Sequence, residues 1–193
     1  MQKNDKTISG FRTLLTEEEY NSIHARFQGI SDVQTNHYFD TDYFTLKAVS
    51  QSLRVRERGR NTYELVYRHK VKYEITDSKQ SLNQEEFDTL LSTGECPDGD
   101  IKSDLVKLTK SSPLVNFMNL STERFQFKYK LYTLLLDKDT YCGKTEYTLE
   151  AHFDKINVTV PEVLVILKDL NVQYKKAGKK IDRAWAALRE TLD

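Results

Sequence analysis

The stretch Ser52 to Arg58, SLRVRER, decides how this chain folds. Side chains at i and i+2 share a strand face, so Arg54, Arg56 and Arg58 point one way while Leu53 and Val55 point the other. The same division runs on through Thr62 to His69, where Glu64, Val66 and Arg68 share a face. It recurs in Ser121 to Tyr129, where Arg124, Gln126 and Lys128 oppose Phe125, Phe127 and Tyr129. On any single strand, a solvated face paired with neighbours such as Glu57 or Glu64 explains the arginines equally well. Three strands of the same design point instead to a wet cationic interior that repels itself until anions or carboxylates fill it. Arg suits that role because its planar fork meets phosphate oxygens two at a time.

Outward from this stretch, period-two runs predict further strands at Thr7 to Leu15, Val33 to Asp40, Val71 to Thr76, Leu131 to Asp137 and Glu146 to Phe153. Gly59 to Asn61 suits a short hairpin turn. Helices are the minority. Thr16 with Glu19 and Asn83 with Glu86 form capping boxes before apolar stripes, Pro161 opens a third helix, and Ile181 to Leu188 reads as a fourth. Eight strands with a few capped helices give an α+β class. The count suits an eight-stranded antiparallel β-barrel, closed so that no edge is exposed, with flanking helices.

Length and composition bound the rest. A chain of 193 residues with 7 Gly and 3 Pro, no low-complexity linker and no internal repeat reads as one domain over residues 1–193, with a possible seam at Ser92 to Asp100. The 29 basic and 29 acidic residues cancel, so no global field draws the chain to nucleic acid or membrane, and any polyanion site is a local concentration of charge. Cys96 and Cys142 lack metal-ligand spacing and read as reduced thiols. The N-terminal MQKNDKTISG has no apolar signal core, and no apolar run approaches membrane-spanning length, so a cytoplasmic protein is expected. His24, His37, His69 and His152 lack zinc-like spacing, and neither a phosphate-binding G-x-x-x-x-G-K-[ST] loop nor a G-x-S-x-G elbow occurs. Eleven Tyr and nine Phe would serve as a single-stranded nucleic-acid platform, but zero net charge argues against that partner.

The run TNHYFDT, Thr35 to Thr41, followed by SLRVRER, resembles the signature of bacterial CYTH proteins. The resemblance continues in LLTEEEY, STERFQFKY, LLLDKDTYCGKTEYTLE and KKIDRAWAAL and covers nearly the whole chain. It implies a likeness to class IV adenylyl cyclases, thiamine triphosphatases and inorganic triphosphatases, which share a tunnel whose basic residues hold a triphosphate and whose acidic residues hold Mg²⁺ or Mn²⁺. By position, the resemblance implies a phosphate-binding set of Arg12, Arg54, Arg56, Arg68, Arg124, Lys180 and Arg183. The family's Glu-x-Glu-x-Lys motif on the first strand reads Ile8, Gly10 and Arg12 here, and Thr148 stands between Glu146 and Glu150 where a carboxylate is usual. Asp137, Glu150 and Glu74 remain as candidate metal ligands. Magnesium wants hard oxygens, and each missing electrostatic group removes on the order of a hundredfold in rate. The expected function is therefore binding of inorganic triphosphate, or of a nucleotide or thiamine triphosphate, with weak or absent hydrolysis. The alternatives are a Mg²⁺- or Mn²⁺-dependent triphosphatase working with the remaining acids and a non-catalytic nucleotide-sequestering or partner-binding protein. Adenylyl cyclase activity ranks below these.

Overall fold

The computed structural model describes residues 7–59, 61–71, 74–153 and 158–191. In chain order these form β1 (Thr7–Ile8), β2 (Gly10–Leu15), α1 (Glu17–Arg26), β3 (Gly29–Asp40), α2 (Thr45–Ala48), β4 (Ser52–Arg58), β5 (Thr62–Val71), β6 (Glu74–Leu82), α3 (Gln84–Thr93) and α4 (Asp100–Thr109). There follow β7 (Val115–Tyr129), β8 (Tyr132–Tyr141), β9 (Lys144–His152), β10 (Val158–Thr159), α5 (Val160–Asp169) and α6 (Lys180–Glu190). Two caps lie where the sequence puts them, Thr16 and Asn83 each accepting from the third helical N–H while Glu19 and Glu86 reach back; α5 begins by Pro161 as expected, behind a Thr159 and Glu162 cap that the sequence reading did not name. Helix α4 has no capping side chain at Gly99, which hides its start from a sequence reading, although Ile101 and Leu105 recur at helical spacing and are buried. Among the described residues no helix is long and apolar enough to cross a membrane.

Eight strands form one antiparallel sheet in the order β2-β9-β8-β7-β3-β4-β5-β6. This corrects the expected closed barrel: β2 and β6 end the order, and no pairing joins them among the described residues, so the sheet is open. The reason is visible at β2. Its outer edge is already occupied by the segment before α6, with Leu14 N–H donating to Lys175 O at 2.9 Å, Lys175 N–H donating to Thr13 Oγ1 at 2.8 Å and a bridge from Thr13 to Lys176. A covered edge is protected as well as a paired one, so closure is not needed to satisfy it. The first expected strand also divides at Ser9: β1 leaves the sheet and pairs with β10, Thr7 against Thr159 and Ile8 against Val158. The expected Val71 to Thr76 strand crosses residues 72 and 73, outside the described set, and Arg60 of the hairpin turn lies outside it too.

Two compact units make up the chain, residues 1–32 with 122–193 and residues 33–121, and the boundaries fall inside β3 and β7. In the first, Phe125, Phe127, Leu134, Leu136, Leu149 and Ala151 pack their strand faces against Ile23 of α1 and Val163, Ile166 and Leu167 of α5. In the second, Leu53, Val55 and Leu65 pack against Phe87 and Leu90 of α3 and Ile101 and Leu105 of α4. Burying each such side chain contributes about 1.5–3 kcal/mol, which is what obliges the opposite strand faces to carry the charges.

Part of the TNHYFDT signature is structural. Asp40 is buried and its carboxylate accepts N–H bonds from Thr41 at 2.8 Å, Leu46 at 2.9 Å and Lys47 at 3.0 Å, holding the short α2 turn against β4. Asp40→Ala leaves those donors without an acceptor and is expected to lower unfolding stability by about 2–4 kcal/mol, read as a drop in the urea midpoint. A midpoint unchanged in that variant would remove this role.

Candidate functional site

In the unit of residues 33–121, antiparallel register places Asn36 beside Arg56, Tyr38 beside Arg54, Arg56 beside Glu64, Val66 beside Lys79 and Arg68 beside Asp77. Registered partners share a face, so Arg54, Arg56, Arg58, Arg68 and Lys79 lie together over Tyr38. The carboxylates among them, in the described residues, are Glu64 and Asp77. Asp77 takes a bidentate bond from Arg68, at 2.7 and 3.0 Å, and stands 3.8 Å from Arg54 Nη2. Arg56 reaches Glu64 at 3.5 Å. Positive charge is in excess. Arg54 is largely buried, and its Nε has no hydrogen-bond acceptor among the described residues. Burial, then the neighbouring charges of Arg54 and Arg58, depress the Arg56 pKa despite Glu64. Burial raises the Tyr38 hydroxyl pKa, with Arg54, Arg56 and Arg68 pulling the other way. Donors are gathered here at an electrostatic cost that an anion relieves.

The other unit has a different balance. Arg12 on β2 holds Glu150 on β9 through two bonds, at 3.1 and 2.6 Å, and His152 Nε2 lies 2.9 Å from the same carboxylate. Arg124 on β7 grips Asp137 on β8 with two bonds of 2.7 Å. Lys180 bridges Asp137 at 2.6 Å and Asp139 at 2.7 Å, Thr122 donates to Asp139 at 2.6 Å, and Arg183 donates to Glu146 at 2.7 Å, with Tyr141 also bonding Glu146. Arg12, Arg124, Lys180 and Arg183 thus face Glu150, Asp137, Asp139 and Glu146. These eight side chains balance in charge and make that part of the face neutral; Lys128, farther along the same face of β7, bonds Thr133. Burial pushes the Asp137 pKa up, but the Arg124 bonds and the Lys180 charge outweigh it and hold the carboxyl below its ordinary value. Asp139 goes the other way: burial raises it more than Lys180 and Thr122 lower it. Lys180 and Arg183 sit in the first turn of α6, the end where the helix dipole disfavours cations, and their carboxylate partners account for that placement.

Seven basic residues expected from sequence therefore fall into two sets, Arg54, Arg56 and Arg68 in one unit and Arg12, Arg124, Lys180 and Arg183 in the other. Of the expected metal ligands, Asp137 and Glu150 lie on the neutral face. Glu74 pairs with Val71 at the start of β6, one register step out of phase with Asp77, and is exposed on the opposite face. Among the described residues no group of three or more His, Cys, Asp or Glu side chains converges as a metal-binding set. The sequence reading missed Asp77 and Asp139. Asp139 was accessible from the alternation D-K-D with Asp137, whereas Asp77 depends on the β5 to β6 register, which a reading that ended that strand at Thr76 misses. The first-strand positions have a backbone reason for lacking carboxylates. A Cβ at Gly10 would stand 2.4 Å from Ala151 O, and Ile8 packs on the apolar core.

An antiparallel sheet whose charged faces carry these arginines and acids defines the class: the CYTH domain family model matches residues 11–184, and the chain belongs to that family. It is 25% identical over 187 residues to YjbK of Bacillus subtilis (strain 168), a candidate triphosphatase, covering 94% of this chain and 96% of that protein. A candidate adenylate cyclase from Bacillus halodurans is also 25% identical, with a TM-score of 0.65 and coverage of 94% and 98%. HpAC1 of Hippeastrum, a candidate adenylyl cyclase with a dominant triphosphatase activity, shares the fold at a TM-score of 0.68 and 17% identity, over 94% of this chain and 95% of that one.

Proposed function

We propose that this chain binds a triphosphate, inorganic or carried by a nucleotide or thiamine, chiefly through Arg54, Arg56 and Arg68, with weak or absent hydrolysis. The observation that carries the binding half is the crowded cationic face of β4 to β6, with its part-buried guanidiniums and an Arg54 Nε that has no acceptor among the described residues. Phosphate oxygens supply the acceptors this face lacks, and bidentate Arg contacts are the strong form of that bond.

For a divalent cation the donors do not fit as arranged. Asp137 and Glu150 have both oxygens bonded to arginine, Lys180 holds Asp137 again, and Glu74 faces elsewhere. A hydrolytic site needs a positioned water and charge stabilisation at the transferring phosphoryl group, and these side chains are spent on one another. A Mg²⁺- or Mn²⁺-dependent triphosphatase is the second reading, favoured by the kinship with YjbK. Phosphate release from tripolyphosphate, ATP and thiamine triphosphate, each with Mg²⁺ or Mn²⁺, separates the two. The expected result is binding by calorimetry with turnover at or near background, and robust multiple turnover would overturn the non-hydrolytic half.

A further inference from the structure

We infer that this chain takes its polyphosphate as the metal-free anion, its own guanidinium and ammonium groups standing where a divalent cation would otherwise balance the carboxylates. This rests on the reading that the ligand is a polyphosphate, and it adds the form in which that ligand is recognised.

The carboxylates themselves argue for it. Asp137 Oδ1 and Oδ2 are taken by Arg124, and Oδ2 also by Lys180. Glu150 Oε1 and Oε2 are taken by Arg12, and Glu146 Oε2 by Arg183. Asp139 Oδ1 accepts from Thr122 and Lys180, while its buried Oδ2 lies 3.6 Å from Arg183 Nη2. In the other unit Asp77 holds Arg68 and Glu64 faces Arg56. Admitting Mg²⁺ on the neutral face means turning a part-buried Arg124, Lys180 or Arg12 loose from its buried carboxylate. The displaced cation would then lose its charge-assisted bonds to a buried carboxylate and be left only partly hydrated.

A second observation is independent of those bonds. Magnesium sheds its water reluctantly and is generally held by one or two carboxylates together with the phosphates. The first strand cannot offer those carboxylates: at Gly10 any side chain meets the Ala151 carbonyl at 2.4 Å, and Ile8 is packed on the core. Nor does Thr148, fully buried and with no partner for its hydroxyl among the described residues, carry charge for a metal. Meanwhile the excess positive charge lies on the face of Arg54, Arg56, Arg58, Arg68 and Lys79, which attracts a fully charged polyphosphate more strongly than its magnesium complex. On this inference Mg²⁺ competes for the ligand and does not assist the protein.

The test uses the full wild-type chain at constant ionic strength. Calorimetry with sodium tripolyphosphate is run in EDTA and again with Mg²⁺ in excess over the ligand, and Mn²⁺ is titrated into protein alone by electron paramagnetic resonance. Expected are binding in EDTA that weakens several-fold with Mg²⁺, and no protein-bound Mn²⁺ at micromolar concentrations. Tripolyphosphate binding that requires Mg²⁺, or tight Mn²⁺ binding by the protein alone, overturns this inference and leaves the polyphosphate reading standing. No binding under either condition removes the polyphosphate reading itself, and this inference with it.

Discussion

The Arg54→Ala/Arg56→Ala double variant is expected to lose tripolyphosphate affinity by about a hundredfold or more, since each hydrogen bond to a charged group contributes about 1.5–3 kcal/mol. Both side chains are mostly shielded from water, and Arg54 carries a donor with no acceptor among the described residues, so their bonds to an anion form in a setting where solvent competes poorly. The fold should survive. Leu53 and Val55 on the other face of β4 still fill the core, and β4 keeps its backbone pairing to β3 and β5. Removing both also relieves the like-charge repulsion among Arg54, Arg56 and Arg58. Calorimetry on the double variant, with the urea midpoint as a check on folding, decides the matter. A folded double variant that binds within a few-fold of wild type would show that the β4 arginines are not the grip.

Asp137→Ala is expected to have the largest effect on stability, about 3–5 kcal/mol, the range for breaking a buried ion pair by removing one partner. Against a typical total of about 5–15 kcal/mol this is a substantial share. Asp137 is fully buried, and its loss strips Arg124 of both its bonds and Lys180 of one. An exposed pair provides the contrast: Asp98→Ala, which removes the Lys102 contact on the surface, should leave the urea midpoint unchanged. If both variants shift the midpoint equally, the cluster is not a special stabilising element. The pH dependence has a definite sign. Asp137 has a folded pKa below its unfolded value, so its contribution is present above the ordinary carboxylate range and is lost as pH falls through the depressed value. Asp139, raised by burial, contributes in the opposite sense: its share is full below the unfolded value and is lost as pH rises through the raised one. The two windows meet at the ordinary carboxylate value: Asp139 adds stability as pH falls toward it and Asp137 loses stability below it, so Asp139→Asn should remove the gain above that value and leave the acid loss below it in place.

Much of this was legible from local pattern. Arg54, Arg56 and Arg58 alternate with Leu53 and Val55, and a pleated strand has no choice but to separate them. Thr16 and Asn83 announce helices because their side chains close hydrogen bonds within four residues. Asp77 was not legible: its role depends on a strand that runs to Leu82 and pairs residue by residue with β5, and residues 72 and 73 lie between. Glu74, an attractive acid in the sequence, falls on the wrong side of the same register. A one-step change of phase sends a strand side chain to the other face, so no count of acids along the chain identifies a ligand set.

By itself, then, the sequence determined the sheet's alternation, the division of its faces into apolar and charged, and the presence of an arginine cluster on β4, all consequences of geometry between near neighbours. Tertiary structure alone decided whether the sheet closes and whether the acids are free. The edge of β2 is covered by Lys175 and Lys176, and Asp137 is held by Arg124 and by Lys180 from a helix near the far end of the chain. Both outcomes turn on which distant group the fold brings to an unpaired donor or acceptor, and the strength of those contacts comes from burial that local sequence does not encode.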